Sequence, residues 1–235
     1  MSARGRVIVA LDVATESQAR AIVEALGEAA LFYKIGLQLL TAAGPALMRE
    51  LVAAGKQVFL DLKLFEIPNS VAGALRAAGA QGATMVTVHA SAGSTILRAA
   101  VEAARPFPAL KVLALTVVTS LGDADLREVG VEASVTDQVL RHARLAAAAG
   151  CHGVIASPHE VAMLRAELGK QMLIVTPGIQ LAGEGASDQA RAATPAHAIA
   201  AGATHIVLGR SITQAADARA AFAAVCAEVE RASGR

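Results

Sequence analysis

Short runs of aliphatic and β-branched residues recur along the whole chain, at positions 7–11, 31–35, 58–62, 84–88, 112–118, 154–155, 172–176 and 205–208. They are mostly apolar at successive positions rather than only at every second one. That is the pattern of strands buried on both faces, as in a parallel sheet covered by helices. Stretches of helical character lie between them, among them 18–26, 45–54, 71–78, 94–104, 137–149 and 218–229. Thr15 followed three residues on by Gln18 reads as a capping box at the first of these. Ala-Ala-Gly recurs at 53–55, 77–79, 148–150 and 200–202, each time just before a strand. Such a glycine can adopt the left-handed conformation that ends a helix and turns the chain. Strict strand–helix alternation predicts a parallel α/β fold with right-handed crossovers. Eight units in 235 residues predict a closed (β/α)8 TIM barrel, one domain over residues 1–235.

With 54% hydrophobic and 17% charged residues, disorder is excluded, because such a chain buries ample apolar surface. Basic and acidic residues nearly cancel, 21 against 20, without a run of like charge, so a nucleic-acid footprint is not supported. The apolar runs fall far short of the ~20 residues that span a bilayer. The N-terminal Met1-Ser2-Ala3-Arg4 lacks the apolar core of a signal peptide. Cys151 and Cys226 have no metal-type spacing and suggest no disulfide framework. These features predict a cytoplasmic protein. Residues 120–136 are expected to add a short helix above the barrel, and the polar loop 180–194 has the composition of a lid.

Barrel active sites are built where the strands end. Those positions hold Asp12, Lys34, Asp61, Lys63, His89, Thr119, Pro177-Gly178 and Gly209-Arg210. Asp61 and Lys63 are two apart on one strand and so share a face. They form either a buried structural ion pair or a lysine kept charged by carboxylates and able to donate a proton. Asp12 alone could equally be a turn residue or a cap. Lys34 lies in the apolar context Phe32-Tyr33-Lys34-Ile35-Gly36 and requires a partner there. His89 reads as a structural histidine, and Tyr33 and Phe65 as packing residues. Thr176-Pro177-Gly178 and Gly209-Arg210 stand after strands seven and eight, where barrels usually hold phosphate. Glycine lets backbone amides approach the anion, and arginine adds a two-pronged donor. The residues thus point to a phosphorylated small molecule whose reacting end lies near Lys63.

Ala10-Leu11-Asp12, Tyr33-Lys34-Ile35-Gly36, Asp61-Leu62-Lys63-Leu64-Phe65-Glu66-Ile67-Pro68-Asn69, Thr176-Pro177-Gly178-Ile179 and Leu208-Gly209-Arg210 occur in this order. Together they resemble the orotidine 5′-monophosphate decarboxylase family. The resemblance implies a barrel that works as a homodimer on a nucleotide, with no metal and no organic cofactor. It implies an alternating array of Lys34, Asp61 and Lys63, completed by a carboxylate, here Glu66, from the other subunit. Lys63 would be the proton donor, Asp61 would lie beside the substrate carboxylate, and Asp12 would bind the ribose and pyrimidine side. Thr119 matches a hydroxyl near the pyrimidine. Gln189, Gly209 and Arg210 match ligand-binding positions at the lid and phosphate end, where Gln180 also falls. Two residues depart from the family pattern: Glu66 stands where the family has aspartate, and Gln180 where bacterial members have arginine.

Two rival readings attach to the same residues. One is a magnesium-dependent sugar-phosphate decarboxylase or aldol-type synthase of the same superfamily. Such enzymes carry a carboxylate where this chain has Lys34. The other is a nucleotide-binding homologue that Glu66 leaves without catalysis.

Overall fold

The computed structural model describes residues 1–181 and 193–234. Eight parallel strands pair in sequence order and close into a barrel. They are β1 (Val7–Ala10), β2 (Phe32–Gly36), β3 (Gln57–Leu64), β4 (Met85–His89), β5 (Lys111–Leu115), β6 (Gly153–Ile155), β7 (Leu173–Thr176) and β8 (His205–Leu208). The ring closes where Val7 of β1 stands opposite Ile206 of β8. The run at 112–118 is only partly a strand. At Thr116 the N–H and the hydroxyl both donate to the Ile155 carbonyl, at 3.1 and 2.8 Å, and the ladder ends there.

Helices follow the strands around the outside: α1 (Glu16–Leu26), α2 (Ala46–Ala53), α3 (Pro68–Ala80), α4 (Gly93–Ala104), α5 (Val135–Ala148), α6 (Val161–Leu168), α7 (Pro195–Ala200) and α8 (Ala218–Ser233). Short helices Leu37–Ala43, Asp123–Glu128 and Arg210–Thr213 sit in the loops after β2, β5 and β8. The second of these is the helix expected within 120–136. The capping box at α1 is present. Thr15 Oγ1 accepts from the Gln18 N–H at 3.3 Å, and Gln18 Oε1 accepts from the Thr15 N–H at 3.2 Å. Among the described residues, no helix is long and apolar enough to cross a membrane.

Alternate residues of each strand divide the core in two. Val9, Tyr33, Leu60, Val86 and Ala114 point outward and pack with Leu26, Leu75, Leu97 and Phe222 of the helices. Ile8, Phe32, Phe59, Met85, Leu113, Ile155, Val175 and Val207 point inward and fill the barrel. Each such burial contributes roughly 1.5–3 kcal/mol. The interior below the mouth is therefore solid, and a ligand can enter only above it. At the bottom, His205 meets Phe32 edge-on with ring centres 6.0 Å apart. Burial pushes its imidazole pKa down to about 4, so the ring is neutral there.

Three of the four Ala-Ala-Gly glycines do what the pattern predicts. Gly55, Gly150 and Gly202 have φ of 73°, 83° and 110° just past α2, α5 and α7. Gly79 does not. Helix α3 runs on to Ala80, and the left-handed residue is Gly82, with φ 84°. At Gly79 the requirement is space, since a Cβ would lie 2.4 Å from Phe107 Cγ.

Candidate active site at the barrel mouth

The carboxyl ends of the strands open into a cavity of about 1170 Å³. Asp12, Lys34, Asp61, Lys63, Thr119, Gln180, Gly209 and Arg210 all line it. Gln189 and most of the proposed lid lie outside the described residues. Leu115, Val118, Ile155 and Val207 give the cavity an apolar side.

Four charges of alternating sign connect β1, β2 and β3. Lys34 Nζ is 2.7 and 3.0 Å from the two Asp12 carboxylate oxygens and 3.6 Å from Asp61 Oδ2. Lys63 Nζ is 2.9 Å from that same Asp61 oxygen. Two ammonium groups and two carboxylates balance, which removes the penalty of a lone buried charge. Lys34 is the most enclosed, its side chain only 9% exposed, whereas that of Lys63 is 38% exposed to the cavity. Gly36, next inward on β2, makes room for the first pair. A Cβ there would lie 3.0 Å from Asp12 Oδ1 and 3.3 Å from Lys34 Nζ.

Asp61 and Lys63 do share the cavity, but not through simple alternation on a regular strand. The β3–β4 pairing jumps from Leu60 opposite Val86 to Leu64 opposite Val88. Asp61, Leu62 and Lys63 thus stand against the single residue Thr87, which makes a bulge. Lys63 has φ 49°, the one positive value at a non-glycine among the described residues. Such a backbone costs on the order of 1–2 kcal/mol and persists only where surrounding contacts fix it. Thr87, fully buried, supplies them. Its Oγ1 accepts from the Lys63 N–H at 2.9 Å and donates to Asp61 Oδ1 at 2.9 Å. Sequence reading passed over this residue. The available signal was one hydroxyl inside the apolar run Met85-Val86-Thr87-Val88, on the same inward face as Met85.

Other residues are structural or stand apart. His89 stacks on Phe65 with ring centres 5.7 Å apart, and its Nδ1 accepts from the Ser91 N–H at 3.2 Å. Burial lowers its pKa, reinforced by the charges of His142 and Lys63, which fits a structural role. Tyr33 is wholly buried, as expected of a packing residue, but Phe65 is 63% exposed and corrects that expectation. Glu66 does not line the cavity of its own chain. It is exposed, with Oε1 accepting from the Ile67 N–H at 2.6 Å.

Pro177, Gly178, Gly209 and Arg210 gather at the ends of β7 and β8, joined by Ser211 and Gln214. Gln180 anchors the start of the following loop, its N–H donating to the Ala193 carbonyl at 3.0 Å. The cavity thus pairs a charged array at one end with glycines and an arginine at the other.

Fold and site together define a (β/α)8 barrel enzyme with a polar, alternating-charge centre and a rim of glycines with an arginine. The sequence pattern of the orotidine 5′-phosphate decarboxylase / HUMPS family matches residues 5–225. The chain is 50% identical over 229 residues to an orotidine 5′-phosphate decarboxylase of Rhodopseudomonas palustris strain HaA2, covering 97% of this chain and 96% of that one. It is 45% identical over 237 residues to the corresponding protein of Moorella thermoacetica, covering 98% and 94%. The crystal structure of orotidine 5′-phosphate decarboxylase from Lactobacillus acidophilus superposes with a TM-score of 0.86 at 37% identity, over 95% of this chain and 98% of that one. The chain belongs to the orotidine 5′-phosphate decarboxylase / HUMPS family, and it is an enzyme of the decarboxylase kind.

Proposed function

We propose that the chain converts orotidine 5′-monophosphate to uridine 5′-monophosphate and carbon dioxide in pyrimidine nucleotide synthesis, using neither metal nor organic cofactor. The observation that carries this reading is the single cavity shared by Asp12–Lys34–Asp61–Lys63 and by Gly178, Gly209 and Arg210. The phosphate sits at the β7–β8 end, held by backbone N–H groups and Arg210. The ring then lies toward β3, with Thr119 and Gln180 along its edge. Asp12 and Lys34 take the ribose side.

Decarboxylation breaks the bond between the ring carbon and the carboxylate and leaves an electron pair on that carbon. Lys63, the more exposed ammonium, delivers its proton there as the charge develops. Asp61, fixed beside it, stands next to the substrate carboxylate and favours its departure. An ammonium and dipoles already in place need no reorganisation during the reaction. Enzymes lower barriers by roughly 8–23 kcal/mol, more than one lysine supplies. Binding energy from the remote phosphate contributes the rest by orienting the ring.

The enzyme works as a cytoplasmic homodimer, with Glu66 of each chain completing the charge array of its partner. Its exposure outside its own cavity supports this, as does that of its chain neighbours Phe65 and Ile67, 63% and 62% exposed. The magnesium-dependent sugar-phosphate reading is disfavoured because Lys34 Nζ occupies the space between Asp12 and Asp61. One assay separates the readings: conversion of orotidine 5′-monophosphate in excess chelator. Undiminished turnover supports the proposal. Loss that magnesium restores supports the sugar-phosphate enzyme, and product binding without turnover supports a non-catalytic nucleotide-binding protein.

A further inference from the structure

We infer that Thr87 is a positioning residue for the reaction, and that its hydroxyl sets the geometry between Asp61 and Lys63. The inference rests on the decarboxylase reading above. A threonine hydroxyl has one proton to give and lone pairs to accept with. Here the proton goes to Asp61 Oδ1 at 2.9 Å and the Lys63 N–H is accepted at 2.9 Å. Asp61 turns its other oxygen to Lys63 Nζ at 2.9 Å, so the contacts form a closed ring. The ring runs from the Lys63 amide through Thr87 and Asp61 to the Lys63 ammonium.

This ring explains two features that Asp61 and Lys63 alone do not. The left-handed φ of 49° at Lys63 turns its N–H toward β4, where the bulge leaves it no ladder carbonyl. Thr87 is the acceptor in that position, and it is fully buried, so water cannot replace it. The same hydroxyl holds one Asp61 oxygen back, so that the other faces both ammonium groups. Without it the carboxylate can rotate about its terminal torsion, which is a soft one. Serine keeps both hydrogen bonds, whereas valine keeps the shape and β-branching and loses both.

The test compares Thr87→Val and Thr87→Ser with the wild-type enzyme for turnover of orotidine 5′-monophosphate and for affinity toward uridine 5′-monophosphate. The valine variant is expected to lose about 10- to 100-fold in kcat, the range of hydrogen bonds to charged groups, with product affinity unchanged within about threefold. Thr87→Ser is expected to retain most of the turnover. Should Thr87→Val fail to fold, Thr87→Ser against Thr87→Ala isolates the hydroxyl, since both lack the same methyl. Equal kcat in valine and wild type, or in alanine and serine, overturns the inference. So does a fall in product affinity that matches the fall in kcat. A wild-type protein that turns over nothing overturns the decarboxylase reading instead.

Discussion

The Lys34 ammonium lies 2.7 Å from Asp12 Oδ1, in a space that a side-chain carbon at residue 36 would crowd. Lys34 also reaches Asp61 at 3.6 Å, and Asp61 reaches Lys63 at 2.9 Å. Lys63 thus ends a chain of fixed charges and is the more exposed of its two ammonium groups. Lys63→Ala is expected to abolish decarboxylation while leaving affinity for uridine 5′-monophosphate largely intact. Retention of more than about a hundredth of wild-type kcat, a residual barrier change below ~3 kcal/mol, would remove Lys63 as proton donor.

Arg210 lies at the opposite end of the cavity. Arg210→Ala should weaken binding of the nucleotide far more than binding of the unphosphorylated nucleoside. A charge-assisted hydrogen bond contributes roughly 1.5–3 kcal/mol, or about ten- to a hundredfold in affinity. Titration calorimetry with the two ligands decides the matter, and equal losses for both would assign Arg210 to the framework.

Glu66 carries one methylene more than the family's aspartate. Catalytic groups tolerate displacement of only about 0.5 Å, and the extra length exceeds that. Glu66→Asp is therefore expected to raise kcat with little change in product affinity, since the effect falls on alignment in the transition state. A lower kcat would show that the neighbouring residues are adapted to glutamate. A fully active monomer, seen by sedimentation, would remove the cross-subunit role.

Stability should fall in mild acid. His205 is neutral in the fold, with its pKa near 4, while an unfolded chain binds a proton near pH 6.5. Between those values the unfolded state holds more protons, so stability present above pH 6.5 is lost as pH drops toward 4, by roughly 3 kcal/mol for this group. His89, His142 and His152 are lowered too, each chiefly by burial, and act in the same direction. Urea midpoints at pH 7, 6, 5 and 4.5 should decline for wild type and decline less steeply for His205→Asn. Parallel slopes would show that His205 is not the group responsible.

The ring of strands was legible because a strand buried on both faces must be apolar along its length, and residues 7–11 or 205–208 can be little else. Asp12, Lys34 and Lys63 were legible for the converse reason, as charges at the ends of such runs. What escaped was what depends on two segments at once. Gly79 looks like Gly55 in the sequence, but Phe107, far along the chain, decides that it packs rather than turns. The bulge at Asp61–Lys63 exists only relative to β4, and Thr87 has meaning only opposite it.

The closure of β1 on β8 has a further consequence for how the protein comes into being. The charged end of the cavity is drawn from residues 12–63 and the glycine–arginine end from 178–210, stretches near the two ends of the sequence. During synthesis the two ends cannot face one nucleotide together until the last strand has emerged and docked on the first. A nucleotide bound across the mouth then ties these two stretches together and, by mass action, opposes the parting of β1 from β8. Product or substrate in the cell would therefore act as a late fastener of the newly made barrel, holding its last strand against its first.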